Sequence, residues 1–267
     1  MTGARWFDAL LVGALCLALC FLTIPIVAIF VDAGPGELIA SLGEEEALEA
    51  LRLSLETTSL SLAIIIVVGT PAAWFLATRS FRGRSLLVTL VELPLVVPPA
   101  VAGIGLLAAL GPQGVLGPAV RESGVELVFA TTGVVVALTF VASPFYVRQA
   151  QAAFSAVDPT LLEASRTLGA GEARTMLRVA IPTAWPGLVT GAALAWGRAL
   201  GEFGATLVVA GSLSGVTQTA PLAIYADFAT DFPGALALSG VLVAVSAGIL
   251  LGVKFVSGRG SLEDART

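Results

Sequence analysis

The sequence contains no histidine, one lysine and two cysteines among its 267 residues. The lack of histidine excludes serine–histidine–aspartate and cysteine–histidine nucleophilic sites, as well as metal sites built on imidazole. The lone lysine, Lys254, follows no glycine-rich phosphate loop, which excludes an ATP site of that type. No basic stretch interleaved with aromatic residues favours nucleic acid. We therefore expect a chain that is not an enzyme, holds no metal or cofactor and binds no nucleic acid.

Charged residues are also scarce, at 12% of the chain, whereas 57% of the residues are hydrophobic and the mean hydropathy is +0.94. Six apolar runs are long enough to cross a hydrocarbon core about 30 Å thick as helices of about 20 residues. None shows the two-residue alternation of a membrane barrel. The sequence therefore predicts an all-α integral membrane protein, one domain over residues 1–267, with spans at 7–31, 55–77, 86–110, 127–147, 185–210 and 235–256.

The first span follows Arg5 and is not followed by a small-residue cleavage site, so we expect a retained helix rather than a signal peptide. Cys16 and Cys20 lie one helical turn apart inside it. A crosslink between neighbouring turns would add no constraint, and no histidine could complete a metal site. We interpret both cysteines as small packing residues.

The basic residues predict the orientation. Placing both termini inside assigns most of the 14 lysines and arginines to the cytoplasm, including the group Arg79, Arg82 and Arg84 and also Arg148. By the positive-inside rule, the loop between the fourth and fifth spans is then cytoplasmic. We expect a multi-pass protein of the cell membrane, surrounded by lipid.

That loop, residues 158–182, is charged and amphipathic although it lies between two apolar runs. Asp158 followed by Pro159 predicts a helix start, because the carboxylate can accept hydrogen bonds from free N–H groups and proline fits the first helical position. Gly169 then ends this helix. The apolar face at helical spacing consists of Leu161, Ala164, Ser165 and Leu168.

A second short helix is expected after Gly171, with Pro182 as its end. Its apolar face consists of Ala173, Met176, Leu177 and Ala180. Two short helices joined by a glycine can lie flat on a membrane and offer a small projection to a partner.

The spacing of Glu163-Ala164-Ser165, Gly169 and the final Pro182 resembles the EAA loop of ABC-importer permeases. Serine stands where that pattern has its second alanine. The resemblance implies a coupling loop that seats in a separate cytoplasmic ATPase dimer, on which ATP and Mg²⁺ would bind. The residues implied in this coupling are Glu163, Ala164, Ser165, Leu168, Gly169, Ala170 and Pro182.

Two alternatives stay open for this loop. It could be an ordinary amphipathic helix at the membrane surface, as many membrane proteins carry. Within the coupling interpretation, Glu163 could either contact the ATPase or pair with Arg166 three residues further on, and the sequence does not decide between these roles.

The third span carries Glu92 and three prolines, Pro94, Pro98 and Pro99. Broken helices at membrane depth are tolerated where they face protein or a water-filled cavity. We therefore expect this span to line the transport path; a kinked packing helix is the alternative. With Gly111–Gly117 after it, the span resembles permeases for tetrahedral oxyanions.

The fifth span contains Arg198 and Glu202, four residues apart, which can pair along a helix and offset part of the cost of placing charges in lipid. This pair could lock the helix bundle or act directly in transport. Phe203 and Thr206 beside it, and Ser143 in the fourth span, complete the candidates for the path and its gate.

Residues 198–206 (Arg-Ala-Leu-Gly-Glu-Phe-Gly-Ala-Thr) and 217–225 (Thr-Gln-Thr-Ala-Pro-Leu-Ala-Ile-Tyr) resemble molybdate-transport permeases, and next tungstate and sulfate ones. Ser212 departs from the asparagine that this family often has, which leaves the oxyanion open. The resemblance implies a type I ABC-importer fold with six transmembrane helices and the coupling loop between the fourth and fifth.

The implied function is the permease subunit of an ATP-driven importer of molybdate or tungstate. Its implied partners are a second copy of the chain, the ATPase dimer and an extracytoplasmic oxyanion-binding protein. The alternatives are a sulfate or thiosulfate permease of the same kind, or a secondary transporter or channel, which would need its own coupling-ion site.

Overall fold

The computed structural model describes residues 3–34, 36, 39–40 and 43–264, with side chains described between residues 6 and 253. The regular elements of this part of the chain are helices. In chain order they are α1 (Gly3–Asp32), α2 (Glu45–Thr78), α3 (Arg84–Val96), α4 (Pro99–Leu110), α5 (Gly117–Glu122), α6 (Thr131–Ser155), α7 (Pro159–Thr167), α8 (Glu172–Leu200), α9 (Gly204–Ala210), α10 (Ala220–Asp227) and α11 (Phe232–Asp264).

Five of the helices in these ranges are long and apolar enough to cross a membrane: α1, α2, α6, α8 and α11. The pair α3 and α4 supplies a sixth crossing if it is taken as one bent span. The predicted all-α membrane fold with six spans is confirmed with that pair as its third span.

The third span is bent far more sharply than the sequence pattern predicts. Residues 86–110 form two helices that meet at 117°. The bend falls at Val97, whose extended backbone (φ −75°, ψ 127°) is the conformation that a following proline favours. Pro98 and Pro99 provide no backbone N–H to carry α3 through this point, whereas Pro94 is accommodated inside α3.

Helix α6 lies at the centre of the bundle. Its buried residues form one apolar cluster with α2 and α8 that includes Leu138, Ala142, Tyr146 and Phe154. A small residue lets α2 and α6 approach closely, since a Cβ on Gly69 of α2 would lie 2.9 Å from the Tyr146 ring of α6. The Tyr146 hydroxyl also lies 2.6 Å from that of Thr70. These contacts hold α2 and α8 against α6.

Helix α1 lies at the edge of the fold, and the residues of its span from Trp6 to Asp32 are not buried by the rest of the described chain. Cys16 and Cys20 are exposed and not joined by a disulfide. The interpretation of these cysteines as packing residues is therefore wrong within this chain, because the helix that carries them faces outward.

The fifth span begins and ends elsewhere than expected. The sequence places it at 185–210 and ends the preceding helix at Pro182, but α8 runs unbroken from Glu172 to Leu200. A π-turn at Met176–Ala180 ends two residues before Pro182. Its wider hydrogen-bond spacing accommodates a residue that lacks an N–H and would crowd the carbonyl four residues earlier. Pro182 is therefore not a helix break.

Candidate functional site

The loop between α6 and α8 begins as predicted. The Asp158 carboxylate accepts a hydrogen bond from the backbone N–H of Thr160 at 2.8 Å, and Pro159 occupies the first turn of α7. This hydrogen bond lowers the pKa of Asp158, because it stabilises the ionised carboxylate. The entry to α7 is therefore fixed by a charge-assisted cap.

The chain turns at Gly169, which has a φ of +81°. The Gly169 N–H donates to the carbonyl of Arg166 at 2.9 Å, and the Ala170 N–H donates to that of Ser165 at 3.1 Å. An added Cβ at Gly169 would meet nothing within 4 Å. Glycine is therefore required here for its backbone conformation and not for space. We call residues 158–175 the elbow.

Polar side chains brace the elbow from inside. The hydroxyl groups of Ser165 and Thr175 lie 3.0 Å apart. The Glu172 carboxylate lies 3.2 Å from Arg166 and 3.6 Å from Arg79, which belongs to the loop between α2 and α3. Arg166 thus pairs with Glu172 and not with Glu163, so the proposed Glu163–Arg166 pair is wrong. Glu163 is exposed.

Three of the four residues of the apolar face predicted for α7 point away from the bundle, whereas Ser165 is half-buried against Thr175. Leu161 is 45% exposed and Leu168 is 87% exposed, and Ala164 is exposed between them. The side chain that anchors α7 to the core is instead Leu162, at 8% exposure. The elbow therefore displays an apolar face, Leu161, Ala164 and Leu168, to its surroundings; we call this the elbow face.

The second predicted face is only partly correct. Ala180 is buried and Met176 is half-buried, but Leu177 is 58% exposed and Ala173 is exposed. Thr175, which precedes the π-turn and is not part of the predicted face, is also fully buried. The π-turn changes the angular spacing of the residues, so a pattern counted at 3.6 residues per turn assigns the wrong side chains to the core.

The residues predicted for the transport path fall into two groups. The first lies between α3 and α6, where Glu92 and Arg148 form an ion pair with a Nε to carboxylate distance of 2.7 Å. Arg148 also donates to the Gln151 side chain at 2.9 Å. Pro94 and Ser143 line a neighbouring groove of about 330 Å³ between α2, α3 and α6.

The second group surrounds the interruption at Gly201–Phe203 between α8 and α9, which we call the break. Glu202 is 1% exposed; one carboxylate oxygen lies 2.5 Å from an Arg198 nitrogen and the other accepts the Ala205 N–H at 2.8 Å. The contact with Arg198 is a charge contact without the alignment of a hydrogen bond. Because α8 ends at Leu200, the pair joins its last turn to the break and does not run along one helix as predicted.

Two further candidates lie beside the break. The Phe203 ring packs on that of Tyr225 at a centroid distance of 4.8 Å. Thr206 is fully buried, and its hydroxyl finds no partner among the described residues. Pro99, at the start of α4, approaches Gly204 so closely that a Cβ there would lie 2.9 Å from the proline ring. Pro98 is exposed at the bend itself.

Sequence reasoning missed three residues of these sites. Arg148 is grouped by sequence with the cytoplasmic arginines because the apolar run ends at Val147, whereas α6 continues to Ser155. Glu172 and Thr175 contact Arg166 and Ser165 across the turn at Gly169, and Glu172 also contacts the distant Arg79. Only the opposite charges of Glu172 and Arg166 give a signal in the sequence, and they do not specify a pair.

The family model for the binding-protein-dependent transport system inner membrane component matches residues 66–257. The chain belongs to this family of permeases. Curated relatives agree: the molybdenum transport system permease protein ModB of Mycobacterium tuberculosis is 40% identical over 233 residues, which cover 87% of this chain and 88% of the relative. The probable transport system permease protein NifC of Clostridium pasteurianum is 37% identical, over 87% of this chain and 82% of the relative.

The sulfate transport system permease protein CysW of Synechococcus elongatus is also similar, at 36% identity over 76% of this chain and 73% of its own. Among solved structures, a bacterial ABC transporter for alginate import has a chain with a TM-score of 0.75 at 18% identity, covering 96% of both chains. The MetNI methionine transporter matches with a TM-score of 0.62 at 20% identity, over 79% of this chain and 94% of that one. The permease therefore has the type I importer fold, and the family resemblance is confirmed.

Proposed function

We propose that this permease forms the membrane path of an ATP-driven importer of molybdate or tungstate. It works as a homodimer with a cytoplasmic ATPase dimer, which binds ATP and Mg²⁺, and with an external oxyanion-binding protein. Both termini lie in the cytoplasm. The observation that carries the ATP-driven part is the elbow face, where Leu168 is 87% exposed directly after a short helix, next to the turn at Gly169.

A contiguous group of exposed apolar residues marks an interaction site, and Leu161, Ala164 and Leu168 form such a group on the elbow. The elbow offers this face at the cytoplasmic end of α8, a 29-residue helix that leads to the break. Movement of a docked ATPase would therefore tilt α8 directly. Glu163, exposed next to Ala164, contacts the ATPase in this account.

The substrate assignment rests on the relatives. Those named for molybdenum transport reach 40% identity, and the sulfate permease reaches 36% over a shorter part of this chain. Sulfate is therefore the second candidate. These anions share shape and charge, so we place most of the discrimination in the binding protein, with the membrane path holding the anion weakly.

Within the membrane, we propose that α3 and α4 line the path and that the break forms part of the gate. In this account, Arg198 and Glu202 hold the geometry of the break and do not touch the anion. Glu202 is too deeply buried, and too well occupied by Arg198 and the Ala205 N–H, to exchange partners during transport.

Reconstitution in vesicles tests this function. Permease, ATPase and binding protein should together take up molybdate only when ATP and the binding protein are both present. Uptake driven by an ion gradient without ATP would replace the proposal by a secondary transporter. Preferred uptake of sulfate by the same three components would favour the second candidate.

A further inference from the structure

The ion pair between Glu92 and Arg148 lies inside the membrane-spanning part of the bundle. Glu92 is eight residues beyond Arg84, where α3 begins next to the basic loop, which places it about 12 Å along the helix. Tyr146, two residues before Arg148, contacts Thr70, which is eight residues before the same end of α2. Both charged side chains therefore lie inside membrane-spanning helices and not at the helix ends.

The pair is nevertheless open to its surroundings. The side chain of Arg148 is 41% exposed and that of Glu92 is 38% exposed. No residue of α3 is buried within the described chain. Exposed charges at this depth are unstable against lipid and are found facing a bundle interior or a water-filled cavity. This side of α3 and α6 therefore faces an aqueous route or another protein surface that borders it.

Arg148 has the chemistry to contact a passing anion. Its guanidinium carries five N–H donors and keeps its charge at any physiological pH. Two of its nitrogen atoms are engaged, one with Glu92 and one with Gln151. No further acceptor bonds it among the residues that the structure describes. A tetrahedral oxyanion offers oxygen atoms that suit the remaining donors.

We propose that Arg148 is an anion contact within the transport path and that Glu92 competes with the anion for it. This inference rests on the proposed oxyanion transport. Glu92 neutralises Arg148 when no anion is present, which lowers the cost of an arginine at this depth. Because the carboxylate competes for the same donors, the anion is held only briefly and can leave toward the cytoplasm.

The second ion pair of the bundle shows why this role falls to Arg148. Glu202 is 1% exposed and also caps α9 through the Ala205 N–H, so its release from Arg198 would leave a buried carboxylate without its countercharge. Glu92, at 38% exposure, can turn to water when an anion takes its place. Of these two pairs, Glu92 with Arg148 is therefore the one that can exchange partners at low cost.

Neutral substitutions separate this role from a structural one. Arg148→Gln alone leaves Glu92 without its partner and would impair either kind of pair. The double substitution Glu92→Gln with Arg148→Gln removes both charges while keeping polar side chains of similar size. A pair that only joins α3 to α6 tolerates this change, whereas an anion contact is lost. The matched control is Arg52→Gln with Glu56→Gln, an exposed pair within α2 whose atoms lie 2.7 Å apart.

The measurement is molybdate uptake and ATP hydrolysis by the complete transporter in vesicles, beside the amount of assembled complex. We expect the double variant to assemble and hydrolyse ATP while its uptake falls by about tenfold or more, and the control to keep its uptake. Uptake by the double variant within about twofold of the wild type would overturn the proposal. If the wild type itself transports no oxyanion, the proposed function fails instead.

If the double variant assembles poorly, a single substitution of Arg148 provides the test instead. Arg148→Lys keeps a cation at this site and is expected to retain more uptake than Arg148→Gln when the two are compared at equal amounts of complex. Equal uptake by the lysine and glutamine variants would contradict an electrostatic contact with the anion.

A third variant, Glu92→Gln, removes the carboxylate that competes with the anion. Molybdate should therefore raise the thermal midpoint of the detergent-purified complex more in this variant than in the wild type. No such increase would also contradict the proposal.

Discussion

The elbow and the break are both interruptions of helical structure beside charged residues, but they are stabilised differently. In the elbow, Glu172 and its arginine partners are each about half exposed, and the ion-pair distances are 3.2 and 3.6 Å. At the break, Glu202 is 1% exposed and lies 2.5 Å from Arg198. Exposed pairs contribute little to stability, whereas removal of one partner of a buried pair is strongly destabilising.

The difference in burial between the two ion pairs agrees with different roles for the elbow and the break. The elbow must present an apolar face to a partner that binds and moves, so its shape depends on backbone geometry at Gly169 with light polar bracing. The break lies inside the bundle, where a change of shape would disturb the packing of α9 against α4. We therefore expect the largest effect on stability at the break and the largest effect on coupling at the elbow.

The largest expected effect is that of Glu202→Ala. It leaves Arg198 without its countercharge and the Ala205 N–H without its acceptor, at a cost of about 3 kcal/mol, the lower end for buried pairs because Arg198 is 27% exposed. The thermal midpoint of the purified permease should fall clearly. Glu56→Ala, which removes a carboxylate of an exposed pair, should leave it unchanged. Equal midpoints for the two variants would show that the break is not held by its ion pair.

The next effect is that of Gly169→Val in the elbow. A β-branched residue at a φ of +81° costs about 1–3 kcal/mol of local backbone strain, although no neighbouring atom obstructs it. The variant should insert and assemble, but ATP hydrolysis should no longer respond to the loaded binding protein and uptake should fall. Gly171→Val is the matched control, since Gly171 has a φ of −69° and also has open space around it.

Normal uptake at a normal ATP cost by Gly169→Val would mean that the angle of the elbow does not transmit movement. A loss of coupling in Gly171→Val as large as that in Gly169→Val would assign the effect to the added side chain and not to the backbone conformation.

The smallest of these effects concerns the hydroxyl pair of Ser165 and Thr175. Ser165→Ala leaves the fully buried Thr175 hydroxyl without its partner, at a cost of about 1 kcal/mol. Adding Thr175→Val removes the unsatisfied hydroxyl and should recover much of that loss. Amide hydrogen exchange across residues 158–175 measures the opening of the elbow directly. Faster exchange in the double variant than in the single one would contradict this account of the bracing.

Much of this organisation can be predicted from the sequence where the signal is local. The apolar runs locate the spans, Asp158-Pro159 marks the start of α7, and Gly169 marks the turn. These features depend on residues that are neighbours in the chain. Composition and local spacing are therefore sufficient to predict them.

The rest depends on contacts between distant segments. Helix packing brings Glu172 to Arg79. It also buries Leu162 of α7 and leaves Leu161 exposed. The continuation of α8 through Pro182 depends on a π-turn that no residue pattern announces. A proline by itself predicts a helix break, but the π-turn before Pro182 removes the clash between the proline ring and the carbonyl four residues earlier.

Association with the ATPase tests the central claim most directly. Leu168 on the elbow face and Val115 in the loop after α4 are both 87% exposed, so Leu168→Glu and Val115→Glu place the same charge at equally exposed apolar sites. The measurement is the amount of partner ATPase that co-purifies with each variant from membranes. We expect Leu168→Glu to lose most of the ATPase and Val115→Glu to retain it. Full retention of the ATPase by Leu168→Glu would contradict the assignment of the elbow face as the coupling surface.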